Sequence, residues 1–133
     1  MKITRYVISV ITALAAVSQT AVAQVNTSSG HITAVYQNWD TDQVLVSTDA
    51  SPFVNPAGCP DTDSYAGSIS SPDVAHLQES MLLTAFANGN PVILTIGTTC
   101  TDGRPIIWAV NMFPVGSSPA AVAKAARVPV PVR

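Results

Sequence analysis

The sequence predicts a mainly β domain of five strands, with one α-helix between the third and the fourth. Three observations carry this prediction. Short segments have alternating or β-branched apolar residues, which is typical of strands. A single segment late in the chain carries both helix start and helix stop signals. Two cysteines, Cys59 and Cys100, indicate a covalent link within the same domain.

The N-terminal segment has the pattern of a secretory signal peptide, placed at 1–23. Lys2 and Arg5 precede a mostly apolar run, and Ala21-Val22-Ala23 supplies the small residues of a cleavage site before Gln24. The run is shorter than the ~20 residues that cross a bilayer. We therefore expect an exported mature chain, secreted or periplasmic, with no membrane insertion. An uncleaved N-terminal anchor is the alternative.

The expected mature chain is acidic. Without Lys2 and Arg5, four basic residues stand against eight acidic ones, which gives a formal net charge of −4 with histidine neutral. Such a chain has no basic surface for nucleic acid or anionic lipid. Nucleic acid is therefore not expected as a partner.

Five segments have the residue pattern of strands, and they are 31–37, 43–48, 64–70, 91–97 and 105–113. A polar turn makes a hairpin of the first two, and Asp102-Gly103 is a strong hairpin signal between the last two. The third strand is the weakest because Gly67 interrupts it. The last strand is apolar on both faces, so we expect it to be central, with Trp108 in the core. The segment 24–30 is expected to be a flexible lead-in.

The helix has well-marked ends. Ser71 is a favourable N-cap, Pro72 suits the first helical position, and Gly89 is suited to a left-handed terminator. Gln78 is expected to face water. The face expected to be buried carries Val74, Leu77, Met81, Leu82, Ala85 and Phe86.

This order of elements favours a five-stranded OB-fold barrel, whose single helix would close the open end of the barrel. An open antiparallel sheet with one helix packed across it, as in small secreted inhibitors, is the alternative. The barrel domain is placed at 24–113. The remaining residues, 114–133, lack bulky apolar side chains and are expected to form a mobile or loosely docked tail.

Cys59 and Cys100 are expected to form a structural disulfide, because cysteines of exported chains are usually oxidised. A redox-active or metal-binding pair is the alternative, but the sequence has no Cys-x-x-Cys and no histidine cluster. His31 and His76 are isolated, and no Gly-x-Ser-x-Gly is present. The sequence therefore predicts a non-enzymatic domain with no metal and no cofactor.

Trp39 is a candidate for ligand binding because it lies in a polar turn between two strands. An exposed indole at this position could stack on a sugar or enter a pocket of a partner. The alternative is that Trp39 folds back over the barrel as a lid.

Three local patterns resemble a known group of proteins. Ser-Gly precedes the first strand in SSGHITAVYQ, a Gly-x-Pro-Val entry to a strand follows the helix in MLLTAFANGNPVILTIG, and a cysteine and tight turn precede the last strand in CTDGRPIIWAV. From Gly30 to Phe113 the chain resembles the B subunits of subtilase-cytotoxin and pertussis-like toxins. It is similar also to small stand-alone secreted bacterial proteins related to those subunits.

The resemblance implies an OB-fold, a structural disulfide and, for the toxin subunits, a pentameric ring that binds sialylated glycans. Ser29 matches the serine that contacts the glycan in sugar-binding members. Their nearby acidic residue has no counterpart here, and Phe86 and Ala87 stand where they carry a tyrosine. The leading hypothesis is an exported, toxin B-subunit-like module that binds a glycan or a protein, as a homo-oligomer. The alternative is a periplasmic structural or inhibitor-like protein-interaction domain.

Overall fold

The computed structural model describes residues 24–67, 71–117, 121 and 124. The predicted signal peptide at 1–23 and most of the predicted tail at 114–133 lie outside the described residues. The two long described ranges form a mainly β structure, in which one helix packs on a mixed sheet. No helix in this described part of the chain is long and apolar enough to cross a membrane.

The sheet has six strands in the order β1-β5-β6-β4-β3-β2. Their bounds are β1 (Val25–Asn26), β2 (Ile32–Asn38), β3 (Gln43–Thr48), β4 (Tyr65–Ala66), β5 (Val92–Thr101) and β6 (Arg104–Met112), and the helix is α1 (Pro72–Asn88). Neighbouring strands are antiparallel, except that β4 and β6 are parallel. The central position of β6 agrees with its apolar sequence.

The prediction of a five-stranded barrel is wrong, because six strands form one open sheet. The alternative, an open sheet with one packed helix, describes it better, although the sheet is mixed and not purely antiparallel. The segment between β1 and β2 also contacts the start of β5. There Gly30 and Val92 exchange two main-chain hydrogen bonds of 3.0 and 2.7 Å.

The sixth strand, β1, lies in the segment that was expected to be a flexible lead-in. Its two residues pair with Ile96 and Thr95 of β5. The following residue, Thr27, is buried, and its main-chain N–H donates to the Leu94 carbonyl at 2.8 Å. Its hydroxyl accepts a hydrogen bond from the Leu94 N–H at 3.0 Å. A strand of two residues has no periodicity, so the sequence pattern could not reveal it.

Both predicted hairpins are confirmed. Strands β2 and β3 pair in antiparallel register, and β5 and β6 are joined by a two-residue turn. Asp102 and Gly103 have φ values of 49° and 73°, and a type I′ hairpin turn requires positive φ at both of its central residues. Of the third predicted strand, Tyr65–Ala66 pairs, Ser64 and Gly67 lie outside the strand, and 68–70 are not among the described residues.

The predicted ends of α1 are confirmed. The Ser71 hydroxyl accepts a hydrogen bond from the Val74 N–H at 3.3 Å, and Pro72 is the first helical residue. Gly89 ends the helix with a φ of 63°, which a glycine adopts without steric cost.

The predicted buried face of α1 is partly wrong. Leu82 and Ala85 are buried as expected, but Leu77 is 64% exposed and Val74 and Phe86 are about half exposed. The helix packs against β2 and β6, and the covered stripe includes Gln78. The side chain of Gln78 was expected to face water, but its amide donates to the Ile107 carbonyl at 3.2 Å. This hydrogen bond allows a polar residue to lie in the buried stripe.

The core lies between α1 and the sheet, and its buried members are Ile32, Val46, Tyr65, Leu82, Ala85, Val92, Leu94, Ile96 and Ile107. The ring of Tyr65 stacks on Phe53, with centroids 4.4 Å apart and an angle of 8° between the planes. Its hydroxyl accepts a hydrogen bond from the Val54 N–H at 2.9 Å. Burial raises the pKa of Tyr65.

Trp108 was expected in the core, but its side chain is 59% exposed. The register of β5 and β6 explains the difference. Thr95 pairs with Ala109 while Ile96 pairs with Ile107, so Trp108 is the extra residue of a β-bulge. A bulge breaks the alternation of inward and outward side chains. The indole therefore points outward and lies over Gly97 of the neighbouring strand.

Candidate functional site

Three connecting segments meet at one end of the sheet, which we call the polar end: residues 38–42, 59–64 and 102–104. The Asn38 side-chain amide donates to Asp102 Oδ2 at 2.5 Å, and the Asp61 N–H donates to the Gly103 carbonyl at 2.9 Å. These two hydrogen bonds connect the β2–β3 turn and the loop before β4 to the β5–β6 turn. These hydrogen bonds therefore hold the three segments of the polar end together.

The predicted disulfide between Cys59 and Cys100 is confirmed, with an S–S distance of 2.05 Å and a Cα–Cα distance of 5.7 Å. It joins the loop before β4 to the end of β5. Asn55 holds the same loop, because its side chain donates to the Cys59 carbonyl and accepts from the Cys59 N–H, both at 2.8 Å. The bridge is a structural support of the polar end.

Arg104 lies among the acidic residues of the polar end. Its Nε and Nη2 atoms donate to the two carboxylate oxygens of Asp63 at 3.0 and 3.1 Å, and its side chain is only 18% exposed. Nη1 lies 3.7 Å from Asp61 and 3.6 Å from Asp102. The hydrogen bonds from Arg104 lower the pKa of Asp63. This arrangement keeps Asp63 ionised, which suits a structural cross-link and not a proton-transfer group.

Trp39 is 91% exposed at the tip of the β2–β3 turn, so the indole does not cover the sheet as a lid. The turn beneath it is braced. The Gln37 side-chain amide donates to Asp42 Oδ1, and the Asp40 N–H donates to the Asn38 side-chain oxygen at 3.2 Å. An apolar ring is thus displayed on a fixed polar turn.

Ser29 is exposed and lies three positions before the first residue of β2, whereas Trp39 comes directly after β2. A strand of seven residues at about 3.3 Å per residue separates them by roughly 20 Å. The two residues predicted to bind a ligand therefore do not form a single site.

The surroundings of Ser29 are tightly packed. The neighbouring Ser28 hydroxyl donates to the Ser51 carbonyl at 3.1 Å. A Cβ atom at Gly30 would lie 2.6 Å from a carboxylate oxygen of Asp49, so the close approach of these segments requires glycine. The Asp49 carboxylate also accepts a hydrogen bond from the His31 N–H at 2.5 Å.

A cleft that the sequence analysis did not find lies between α1 and the β2–β3 hairpin. It encloses about 320 Å³ and its polar lining residues are Gln37, Asp42, Gln43, Ser71, His76, Gln78 and Glu79. Val44, Gly67 and Leu82 are among its other lining residues. These side chains come from separate segments of the chain, so no local motif could indicate the cleft.

Among the described residues, no group of three or more His, Cys, Asp and Glu side chains is placed to hold an ion. His76 Nδ1 lies 3.8 Å from Glu79 Oε2, and both side chains are exposed or half exposed.

The chain matches no family model and no curated protein. The resemblance to toxin B subunits therefore stays a prediction.

Proposed function

We propose that the protein is an exported, non-enzymatic binding module that recognises a glycan through its polar end. The observation that carries this proposal is the 91% exposure of Trp39 on a braced turn. A fully exposed indole exposes apolar surface that the face of a sugar ring can cover. Asp40 follows Trp39 in the chain and is exposed, so its carboxylate can accept hydrogen bonds from sugar hydroxyls.

The charge around Trp39 favours a neutral glycan. Arg104 is the cation among the residues of the polar end, and its guanidinium is already engaged by Asp63 and lies close to Asp61 and Asp102. The surrounding carboxylates would repel an acidic sugar. A role for Ser29 in binding a sialylated glycan rests on the resemblance alone and would concern the other end of β2.

The sheet also supports an OB-like relationship. β2, β3, β4, β6 and β5 are neighbours in that order, β4 and β6 are parallel, and α1 lies between β4 and β5 in the chain. The OB-fold is a five-stranded, partly open barrel.

Export to a secreted or periplasmic location is proposed on two grounds. The segment 1–23 has the pattern of a signal peptide. The Cys59–Cys100 disulfide is typical of proteins in oxidising compartments.

A glycan array with residues 24–133 tests the proposal. We expect binding to neutral glycans, with loss of signal for Trp39→Ala, because the stacking surface is removed. Trp108→Ala is the matched control, since it removes the other exposed indole, on β6 and outside the polar end. Ser29→Ala is expected to leave this binding intact. Retained binding in Trp39→Ala, or no binding by the unchanged protein, would contradict the proposal.

A protein-interaction domain is the second candidate, and the exposed apolar side chains of α1 favour it. These are Val74, Leu77, Leu83 and Phe86, which are 45–64% exposed. A second copy of the chain is one partner that could cover them, in a pentamer if the protein is toxin-like. Sedimentation equilibrium of residues 24–133 with and without Leu77→Lys tests this. An oligomer that dissociates on substitution supports it, whereas a monomer and no partner in a periplasmic pull-down contradict it.

A further inference from the structure

The cleft between α1 and the β2–β3 hairpin has the size of a small-ligand site. Its volume of about 320 Å³ is near the lower end of the range of roughly 300–1,000 Å³ that is usual for such sites. One wall comes from the hairpin, through Gln37 and Asp42, and the other from α1, through His76 and Glu79. A molecule of about monosaccharide size fits between them.

The floor of the cleft is polar and preformed. Gln43 and Gln78 line it and are only 3% and 7% exposed. Their side-chain amides donate to the Gly67 carbonyl at 2.9 Å and to the Ile107 carbonyl at 3.2 Å. These hydrogen bonds fix the orientation of both amides.

The described residues that line the cleft contribute negative charge. Each wall contributes one carboxylate, Asp42 and Glu79, and the described residues that line the cleft include no lysine and no arginine. Asp42 accepts a hydrogen bond from the neutral Gln37 amide, and Glu79 lies 3.8 Å from the His76 ring. A cationic ligand is therefore favoured over an anionic one, and an ammonium group could form charge-assisted hydrogen bonds with these carboxylates.

We propose that this cleft binds a small cationic molecule, a ligand of about monosaccharide size that carries an amino group. The cleft is a site separate from the glycan surface at Trp39, which is not among its lining residues. Asp42 and Glu79, one on each wall, bind the ammonium group of the ligand, and the rest of the molecule lies over the polar floor.

The test uses three sugars that differ in charge: glucosamine, N-acetylglucosamine and N-acetylneuraminic acid. They are titrated into isotopically labelled residues 24–133, and the side-chain amide signals of Gln37, Gln43 and Gln78 are followed by NMR. We expect these signals to shift with glucosamine, at least about tenfold weaker binding of N-acetylglucosamine because a charge-assisted hydrogen bond is lost, and no binding of the acid. Equal binding of all three sugars, or no shift with glucosamine, would overturn the proposal.

Variants assign the binding to the cleft. Asp42→Asn combined with Glu79→Gln is expected to weaken glucosamine binding by about tenfold or more, and Ala75→Leu to block it by filling the cleft. Asp40→Asn is the matched control, because it removes a carboxylate of the same turn that does not line the cleft. Trp39→Ala is expected to leave glucosamine binding unchanged. Loss of glucosamine binding in Asp40→Asn or Trp39→Ala would show that the ligand binds elsewhere. Unchanged binding in the cleft variants would show the same.

Discussion

The indole of Trp108 lies so close to Gly97 that a Cβ atom at position 97 would be 2.2 Å from its Cδ1 atom. Gly97 is buried, and the bulge in β6 takes Trp108 out of the regular register, so that its indole lies against Gly97. The absence of a side chain at position 97 therefore determines where the indole can lie.

Gly97→Ala is expected to lower the free energy of unfolding by about 1–3 kcal/mol, because the added methyl group overlaps the indole and also comes within 2.8 Å of Ile106 Cγ2. The measurement is urea denaturation followed by far-ultraviolet circular dichroism. Trp108→Ala is the matched background. In the Trp108→Ala background, Gly97→Ala is expected to lower the free energy of unfolding by clearly less. The double-mutant cycle then gives the coupling energy between positions 97 and 108. Equal costs in both backgrounds would show that the ring is not the obstacle.

Gln78→Leu is expected to destabilise the protein by about 1–3 kcal/mol, although it places an apolar residue in an apolar stripe. The substitution leaves the buried Ile107 carbonyl without its side-chain donor. The exposed Gln37 provides the control, and Gln37→Leu is expected to change stability much less. A neutral or stabilising effect of Gln78→Leu would mean that the Ile107 carbonyl does not depend on this hydrogen bond.

Replacing both cysteines by serine is expected to lower the free energy of unfolding by roughly 4 kcal/mol in the chain-entropy model, because the disulfide closes a loop of 41 residues. Thermal denaturation of oxidised, reduced and Cys59→Ser/Cys100→Ser protein measures the effect. Reduction of the unchanged protein should match the double variant. Peptide mapping without reductant should recover the two cysteines in one linked pair, and free thiols in the purified protein would refute the prediction.

Asp63→Asn is expected to destabilise the protein at neutral pH by up to about 1 kcal/mol, since the pair with Arg104 is bidentate but Asp63 is 58% exposed. Folding lowers the pKa of Asp63 below its ordinary value of 3.8. Its contribution is therefore fully present above that value and is lost as the pH falls through the lower pKa of the folded state.

The difference in stability between the unchanged protein and Asp63→Asn should accordingly be largest near neutral pH and vanish in strong acid. Urea denaturation across this pH range measures it. Asp40→Asn, which removes an exposed carboxylate of the β2–β3 turn, is the control for the loss of one negative charge. A difference that persists in strong acid would assign the effect of Asp63→Asn to something other than the ion pair with Arg104.

The parts of the fold that local chemistry determines could be predicted from the sequence. The caps Ser71 and Gly89, the Asp102-Gly103 turn and the disulfide all depend on residue types that favour one conformation or bond. The failures depend on distant contacts. The buried position of Gln78 depends on a carbonyl of β6, and the exposure of Trp108 depends on a bulge.

The candidate site divides in the same way. Trp39 was recognised because a bulky apolar residue in a polar turn is unusual at the level of sequence. The cleft was missed because Asp42 and Glu79 are brought to its two walls only by the packing of α1 on the hairpin. The distance between Ser29 and Trp39 could not be predicted either. It follows from β2, which is extended over seven residues between them.

The pairing of β1 with β5 has a consequence for the order in which the chain can fold. The hydrogen bonds of Asn26 and Thr27 are made with residues 69 and 67 positions later. During synthesis β1 cannot pair until β5 has been made, near the end of the domain. The β2–β3 hairpin can form as soon as β3 has been made. Such distant pairing slows folding. The amino-terminal end of the domain, although made first, is therefore expected to become ordered among the last.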